Sequence, residues 1–496
     1  MATRRPPART VIAVVAAVVV LGVPGWLWWS SLLPSRYSVM DMGYVDTGGG
    51  PEVGGGVDVA MAGMPGMAPG RSVATLTDPS TAQADVRVTL VARKERARLA
   101  SGQEIDGYTL NGTSPGPQIT AVEGQLVEVR LQNASVPAGV VLHWHGMEVP
   151  GAMDGTAGVT QDAVPPGGEF VYRFRATHPG TFWYHSHQVT HEQVERGLLG
   201  ALVVTPRTPA AGVDALALVH LYEGRRTING LAGDVPVSAA PGTPVRVRIV
   251  NTDAGPMRVW PTGGEFRVVA VDGREVHGPT PLRDTSVEVT AGGRADLEVT
   301  APPSQGGGVR VEIGGNSAIV LGTPPPPTPV PATTVDMLTY GTPAPLGFDP
   351  AAATRRFDYA IGRSFGFIDG LPGLWWTVNG HLYPDVPMYV VRAGDVVTMH
   401  VSNSSGEVHP MHLHGHHAVV LARNGTPATG SPWWFDSLNV ENGESYDIAF
   451  VADNPGVWMD HCHQLRHAAD GLVAHLMYEG IDTPYLVGGP AGNSPE

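Results

Sequence analysis

The sequence contains little cysteine and little charge. Cys462 is the only cysteine among 496 residues, so no disulfide can form within the chain. Charged residues make up only 16% of the chain, whereas glycine (64 residues) and proline (45 residues) are abundant. This composition favours many short strands joined by turns over long charged helices. The formal net charge of −15 argues against nucleic acid as a partner.

One long apolar run stands near the start of the sequence. Arg4, Arg5 and Arg9 flank an apolar stretch over residues 11–29, which is close to the roughly 20 residues that a membrane span needs. Tryptophans rather than a small-residue cleavage site follow this stretch. Residues 1–33 are therefore predicted to be a signal anchor, with a cleaved signal peptide as the alternative. Either one predicts an extracytoplasmic bacterial protein that is membrane-anchored or secreted and that contacts a membrane only through this segment.

Residues 34–84 are rich in glycine and dotted with methionine, without a regular hydrophobic period. Such a composition predicts a flexible tether. Met61, Met64 and Met67 lie close together within it. Thioether sulfur suits Cu(I), so copper capture is an alternative role for this stretch.

A repeated pattern divides the rest of the chain into three parts. Residues 108–133, 226–251 and 376–403 each hold an Asn-Gly turn, a later glycine and an alternating strand that ends in asparagine. Copies more than 100 residues apart indicate an all-β chain of three β-sandwich domains. The predicted divisions are domain one (85–207), domain two (208–322), a Pro-rich linker (323–335), domain three (336–480) and a tail (481–496).

Histidines occur in four pairs with two-residue spacing, and this spacing puts both rings on one face of a strand. Domains one and three carry the pairs, whereas the equivalent places in domain two carry none. The pairs are His143 with His145, His185 with His187, His412 with His414, and His461 with His463. Imidazole suits copper, zinc and iron, so the pairs alone predict metal without choosing it.

Cys462 narrows the choice of metal. A lone cysteine is by default a small buried hydrophobic residue. Here His409 and His467 remain outside the pairs, and one thiolate with two imidazoles is the blue-copper ligand set. His461 and His463 flank Cys462 and point away from it, so the main chain joins the two predicted centres directly.

These motifs resemble the multicopper oxidase family, which includes laccases and bacterial copper-efflux oxidases, over about residues 85–480. The resemblance implies three cupredoxin-like domains, four copper ions and dioxygen as the electron acceptor. It also implies one type 1, one type 2 and two type 3 coppers. The implied ligands are His409, Cys462 and His467 for type 1, His143 and His412 for type 2, and His145, His185 and His463 for one type 3 ion, with His187, His414 and His461 for the other.

Three positions near these motifs bear on the reduction potential of the type 1 copper and on the supply of protons. Leu472 stands where many relatives have an axial methionine, and because leucine cannot ligate, a higher reduction potential is expected. Asp154 matches an acidic residue that the family places near the type 2 copper. The resemblance implies that Asp154 relays protons or orients a ligand. The alternative is a carboxylate that only stabilises the turn before Gly155. Arg466 replaces the glutamate of bacterial relatives, so the proton donor is open, with Glu192 or Glu195 as candidates.

The function expected from the resemblance is the coupling of substrate oxidation to reduction of O2 to water, with Cys462, His461 and His463 relaying electrons. A phenol or aromatic amine is the first candidate reductant, and Leu472 supports it. A metal ion such as Cu(I), Fe(II) or Mn(II), oxidised in copper tolerance, is the second. A copper-binding or structural protein with a slow, degenerate oxidase centre is a third hypothesis from another class.

Overall fold

The alternating apolar and polar runs form strands, as the period-two pattern predicts. The structure is a computed structural model that describes residues 7–10, 12, 18–49, 70–303, 307–315 and 317–496. Three successive parts of the chain each form a pair of packed β-sheets around a separate hydrophobic core. The predicted all-β fold is therefore confirmed.

The first described segments lie before the paired sheets. A π-helical turn, Val18–Gly22, leads into helix α1, Val23–Ser30. Across the described parts of the chain, no helix combines the length and the apolar character needed to cross a membrane. Residues 11 and 13–17 of the predicted anchor lie outside the described residues, as do Met61, Met64 and Met67 of the predicted tether.

Parts of the predicted tether pair with the end of the chain. Three short strands precede the first pair of sheets: β1 (Arg36–Tyr37), β2 (Tyr44–Asp46) and β3 (Arg71–Ser72). Their partners are Val487–Gly488 for β1, Pro387–Val391 for β2 and Ile481–Asp482 for β3. Short 3-10 turns adjoin these strands at Val39–Asp41 and Val73–Thr75. Described residues on either side of the gap at 50–69 are thus held by strand pairing with residues beyond position 386, which differs from a flexible tether.

The first pair of sheets consists of two four-stranded sheets, in the orders β5-β4-β7-β9 and β6-β11-β10-β8. Its strands are β4 (Val86–Arg98), β5 (Glu104–Leu110), β6 (Ile119–Val122), β7 (Leu126–Asn133), β8 (His143–His145), β9 (Glu169–Arg175), β10 (Gly180–His185) and β11 (Leu199–Thr205). The 3-10 turn Gly151–Met153 follows β8, and helix α2, Thr190–Gln193, follows β10. Trp144 and Tyr172 are at the centre of its core.

The second pair of sheets has six strands in each sheet, in the orders β13-β12-β15-β20-β17-β18 and β14-β22-β21-β16-β19-β23. Its strands are β12 (Val213–Tyr222), β13 (Arg225–Ile228), β14 (Val235–Pro236), β15 (Pro244–Asn251), β16 (Met257–Thr262), β17 (Phe266–Val271), β18 (Arg274–Glu275), β19 (Thr285–Val289), β20 (Arg294–Thr300), β21 (Gly308–Ile313), β22 (Ser317–Gly322) and β23 (Thr333–Thr334). Strand β23 comes from the predicted linker and pairs with β19.

The third pair of sheets follows the 3-10 turn Pro350–Ala352. Its strands are β24 (Arg355–Ile368), β25 (Leu371–Val378), β26 (His381–Leu382), β27 (Pro387–Val391), β28 (Val396–Asn403), β29 (His409–Leu413), β30 (Ala418–Arg423), β31 (Thr426–Pro427), β32 (Trp433–Phe435), β33 (Ser437–Val440), β34 (Ser445–Val451), β35 (Val457–Cys462) and β36 (Val473–Tyr478). Two further short strands, β37 (Ile481–Asp482) and β38 (Val487–Gly488), form separate two-stranded sheets with β3 and β1. The sheet orders are β2-β27-β36-β35-β29-β33 and β26-β25-β24-β28-β34-β30-β31, with β32 beside β30. Helix α3, Leu465–Ala469, joins β35 to β36.

Strand pairing brings the histidine motifs together. In the first pair of sheets, β8 and β10 are antiparallel neighbours, and His143 stands opposite His185. In the third, β29 and β35 are antiparallel neighbours, and His412 stands opposite His461. Side chains opposite each other on neighbouring strands are about 5 Å apart at Cβ. The first and the third pair of sheets therefore each present two adjoining histidine motifs on one face.

Candidate metal centre

One cysteine and two histidines form a first centre, the mononuclear group (His409, Cys462 and His467). The Cys462 Sγ atom lies 3.6 Å from His409 Nδ1 and 3.8 Å from His467 Nδ1, and the two Nδ1 atoms are 3.2 Å apart. Strand β29 begins at His409, β35 ends at Cys462, and α3 supplies His467. Three soft or borderline donors therefore converge on one point, a ligand set that suits copper.

Burial favours the uncharged forms of the side chains in the mononuclear group. It lowers the pKa of His409 to about 3, with His467 contributing, so the ring is neutral and can ligate. Burial also raises the pKa of the Cys462 thiol. A bound metal ion reverses that preference, since a coordinating thiol loses its proton. The opposite nitrogen of His409 lies 2.7 Å from Ser405 Oγ, which fixes the ring orientation.

The other eight histidines of the four motifs form a second, fully buried centre, the eight-histidine cluster. Its members are His143, His145, His185, His187, His412, His414, His461 and His463. Nε2 of His461 lies 3.3 Å from Nε2 of His187 and 3.2 Å from Nε2 of His414. Nε2 of His143 lies 3.4 Å from Nε2 of His412. Strands from the first and third pairs of sheets thus contribute rings to shared points.

The electrostatics of the cluster fit bound cations. Burial is the largest cause that lowers the pKa of seven of these rings: His145, His185, His187, His412, His414, His461 and His463. Neutral rings then direct nitrogen lone pairs into the same space, an arrangement that a bound cation stabilises. Buried ring nitrogens without a hydrogen-bond partner among the described residues include His145 Nδ1, His185 Nε2 and both nitrogens of His463. Copper ions satisfy this donor set.

Asp154 lies directly behind two cluster histidines. His414 Nδ1 is 3.1 Å from Asp154 Oδ2, and His143 Nδ1 is 2.9 Å from the Asp154 carbonyl oxygen. The side chain of Asp154 is 1% exposed. A carboxylate that accepts from Nδ1–H leaves Nε2 free to ligate. These contacts support the ligand-orienting role that the sequence predicts for Asp154.

A buried acid that sequence reasoning missed lies behind two more cluster histidines. Asp436 Oδ1 lies 3.1 Å from His145 Nε2, and the Asp436 carbonyl oxygen lies 2.8 Å from His412 Nδ1. Arg294 of the second pair of sheets donates to Asp436 Oδ1 at 2.6 Å. Burial opposes ionisation, yet the Arg294 guanidinium holds the pKa of Asp436 well below its usual range. The second domain, which carries none of the four histidine motifs, therefore contributes to the cluster through a charge.

Asp272 completes this buried network. Its Oδ2 accepts from the backbone N–H groups of Asp436 (3.2 Å) and Ser437 (3.1 Å), and its Oδ1 lies 3.5 Å from Arg294 Nη1. Burial and the nearby Asp436 carboxylate raise the pKa of Asp272 to about 6. No motif in the sequence marks these residues, because the contacts of Asp436 with Arg294 and Asp272 join positions more than 100 apart.

Gly292, in the turn before β20, brings the backbone of the second domain close to the cluster. Its φ is +79°, and an added Cβ would stand 2.8 Å from both His145 Cε1 and His463 Cγ. We expect Gly292→Ala to weaken copper binding by the cluster about 10-fold, as when a residue that supports a metal ligand is lost. Backbone strain should also lower the free energy of unfolding by about 1–3 kcal/mol. Chelator competition and denaturant unfolding measure the two effects.

Gly242 provides the matched control for that substitution. Its φ is +75°, and nothing lies within 4 Å of its added Cβ. Gly242→Ala therefore carries the same backbone strain without a contact to the histidines. Equal copper affinity in the two variants would contradict the proposed contact between the Gly292 turn and the cluster.

The remaining predicted positions lie around the centres. Leu472 is fully buried in the same core as Cys462, and its carbonyl oxygen accepts from the Cys462 N–H at 3.2 Å. Arg466 is exposed and, with Glu195 and His463, lines a cavity of about 280 Å³ that reaches the cluster. Glu192 accepts from Tyr108 Oη at 2.7 Å and belongs to a surface ion pair with Arg196.

Comparisons with known proteins agree with this geometry. Models of the multicopper oxidase family match residues 92–209 and 356–480. Laccase-1 of Botryotinia fuckeliana is 29% identical over 450 residues, covering 76% of this chain and 79% of that protein. Multicopper oxidase MmcO of Mycobacterium tuberculosis is 29% identical over 463 residues, covering 79% and 87%. The crystal structure of a multi-copper oxidase from Pseudomonas thermotolerans has a TM-score of 0.66 at 26% identity, covering 80% and 100%.

Proposed function

Because this chain belongs to the multicopper oxidase family, we propose that it oxidises phenols or aromatic amines at the mononuclear group and reduces O2 to water at the eight-histidine cluster. The protein is a copper-dependent oxidoreductase that uses O2. Four bound copper ions would supply one-electron oxidation of the reductant and four-electron reduction of O2. The convergence of His409, Cys462 and His467 next to the cluster carries this conclusion.

The ligand roles that we propose are those that the family resemblance implies. His409, Cys462 and His467 hold the type 1 ion, and His143 with His412 hold the type 2 ion. For the type 3 ions, the proposed ligands are His145, His185 and His463 for one, and His187, His414 and His461 for the other. Support comes from the donor atoms of His187, His414 and His461, which all lie within 4.8 Å of one another, as do those of the mononuclear group.

Cys462 provides the connection between the two centres. It belongs to the mononuclear group, and its chain neighbours His461 and His463 belong to the cluster. Only covalent bonds of three consecutive residues therefore separate the centres. The fully buried position of all three residues excludes water from this connection. We propose that these residues relay electrons from the mononuclear group to the cluster.

A cavity beside the mononuclear group supports an organic reductant. It has a volume of about 340 Å³, and its lining includes Ile368, Leu371, Trp375, Tyr383 and Ala468. Ala468 follows His467 in α3, so the cavity lies next to a proposed ligand. Mostly apolar pockets of about 300–1,000 Å³ suit small organic molecules. We propose that phenols bind here, where Ala468, the neighbour of His467 in the chain, lines the cavity.

Leu472 supports the same choice of reductant. It is buried beside Cys462 and offers no donor atom to a metal ion. Lack of an axial ligand disfavours the oxidised form of a blue-copper site and raises its reduction potential. A higher potential favours substrates that are hard to oxidise, as many phenols are.

One observation favours the second candidate, oxidation of Cu(I), Fe(II) or Mn(II). The Glu407 side chain is 48% exposed, and its Oε2 lies 3.5 Å from His467 Nε2. A solvent-facing carboxylate beside a ligand histidine attracts cations. Met61, Met64 and Met67 would also suit Cu(I), but they lie outside the described residues.

Oxygen uptake by the copper-loaded protein tests the function. We expect rapid uptake with a methoxyphenol, and a visible thiolate-to-copper band that bleaches anaerobically when the reductant is added. Uptake only with Cu(I) or Fe(II) would support the metal-ion alternative. A fully copper-loaded protein that consumes no oxygen with any of these reductants would contradict both candidates.

We propose an extracytoplasmic place of action, with the chain either anchored or secreted. The three arginines before the apolar run over residues 11–29 support this proposal. Trp26, Trp28 and Trp29 in α1 are exposed, as expected for side chains at a membrane interface.

A further inference from the structure

Residues 493–496 fold back from the third domain onto the first. The Ser494 N–H donates to Gln188 Oε1 at 2.8 Å, and the Val189 N–H donates to the Ser494 carbonyl at 2.6 Å. Asn493 Oδ1 accepts from the Ala163 N–H at 2.8 Å. These bonds hold the segment beside the His185 and His187 motif, so its position is defined by three separate contacts.

Two acceptors of this segment stand behind cluster histidines. The Pro495 carbonyl oxygen lies 2.9 Å from His187 Nδ1, and Glu496 Oε1 lies 3.2 Å from His461 Nδ1. The Nε2 atoms of the same two rings face each other at 3.3 Å. Each ring therefore has one nitrogen toward the shared metal point and the other toward residues 495–496.

The burial of Glu496 indicates that its contact with His461 is specific. Its side chain is 10% exposed, and neither carboxyl oxygen has a conventional hydrogen bond among the described residues. A buried polar group without a partner costs free energy. His461 Nδ1 is likewise without a conventional hydrogen bond among the described residues, and it lies 3.2 Å from Glu496 Oε1, so each group is placed to satisfy the other.

We propose that Pro495 and Glu496 are positioning residues for the metal ion held by His187, His414 and His461. An acceptor behind Nδ1 keeps the proton there, which leaves the Nε2 lone pair for the metal. Asp154 has the same role for the third ligand, His414, at 3.1 Å. All three rings of this group then have an acceptor behind them. This inference rests on the proposed function, since it concerns one type 3 ion.

One ligand of the other proposed type 3 position lacks such an acceptor. Both ring nitrogens of His463 are without a hydrogen-bond partner among the described residues. The two proposed type 3 positions therefore differ in their support, although their ligands are of the same kind. Removal of the Glu496 acceptor should weaken one position and leave the mononuclear group intact.

Three variants of the copper-loaded full chain test this inference. Glu496→Ala removes the acceptor, Glu496→Gln keeps an amide oxygen in its place, and Glu265→Gln removes an acid that is 53% exposed and pairs with Arg283. Copper content after dialysis against graded chelator, the near-ultraviolet absorption of the coupled copper pair and the visible thiolate band are recorded. Oxygen uptake is measured separately.

For Glu496→Ala, we expect the affinity for one copper ion to fall about 10- to 100-fold, the usual cost of losing an outer partner. The near-ultraviolet absorption should decrease while the visible band remains. Glu496→Gln should recover most of the affinity, and Glu265→Gln should behave as the wild type. Rescue by glutamine assigns the effect to hydrogen-bond acceptance.

Two outcomes would overturn the inference. One is a copper affinity in Glu496→Ala equal to that of the wild type. The other is a parallel loss of both absorption features with a lower melting temperature, which would make residues 493–496 a general support of the fold. A wild-type protein that never binds four copper ions would instead contradict the proposed function, so the two failures are distinguishable.

Discussion

Cys462→Ser is expected to abolish the visible thiolate-to-copper band and to reduce oxygen uptake by at least about 100-fold. Loss of a residue that only supports a metal ligand costs up to about 100-fold, so loss of a ligand should cost at least as much. Cys462 is the only cysteine, so no other thiolate can replace it. Its covalent link to His461 and His463 is the proposed connection between the centres. Visible spectroscopy, copper content and oxygen uptake with a methoxyphenol measure the effect.

The same variant should keep the copper ions of the eight-histidine cluster, because no cluster donor atom changes. Met477→Leu is a suitable control, since Met477 is a buried sulfur residue of the same core on β36. Volume-conserving apolar changes cost less than about 1.5 kcal/mol. Near-normal uptake by Cys462→Ser would refute the relay role of this residue.

Asp436→Asn is expected to cause the largest loss of stability, about 3 kcal/mol in the free energy of unfolding of the copper-free protein. Removing one partner of a buried ion pair leaves the other charge uncompensated, at a cost of about 3–5 kcal/mol. Arg294 and Asp436 are both fully buried and share a bidentate contact. Asp272, 3.5 Å from Arg294, remains as a partial counter-charge, which favours the lower end. Urea unfolding provides the measurement.

The pH dependence of this difference has a defined sign. Despite burial, Arg294 holds the pKa of Asp436 below the value of an unfolded aspartate, so the stabilisation is complete above that unfolded value. It is lost only as the pH falls through the lower folded pKa. The difference between wild type and Asp436→Asn should thus persist from neutral pH down to about pH 5.

Glu265→Gln is the control for this stability effect as well. The pair between Glu265 and Arg283 is more than half exposed on both sides, and such pairs contribute about 0–1 kcal/mol. If Asp436→Asn were no more destabilising than Glu265→Gln, the buried network would not support the fold. A cluster that also bound copper normally would exclude Asp436 from ligand orientation.

The histidine motifs could be predicted because their pattern is local. A spacing of two residues on a strand puts both rings on one face whatever the rest of the chain does. The thiolate at Cys462 likewise selects copper through its chemistry alone. The period-two strands and the three repeated segments follow from the same short-range rule.

The acceptors behind the rings could not be predicted in this way. Asp436 and Arg294 meet across 142 positions, and Glu496 reaches His461 from an unremarkable stretch of sequence. No local period marks such residues. The ordered strands within the predicted tether, β1 to β3, were missed for the same reason, since their partners lie far along the chain.

The amino-acid sequence by itself therefore determined the ligand types, their pairing on strands and the family, because each depends on neighbouring residues. Only the tertiary structure decided which rings share a point and which acids orient them. Which rings and acids meet depends on packing between domains one and three and on a charge from domain two. Docked sheets bring residues of distant sequence position within hydrogen-bond distance, and a linear pattern contains no measure of that distance.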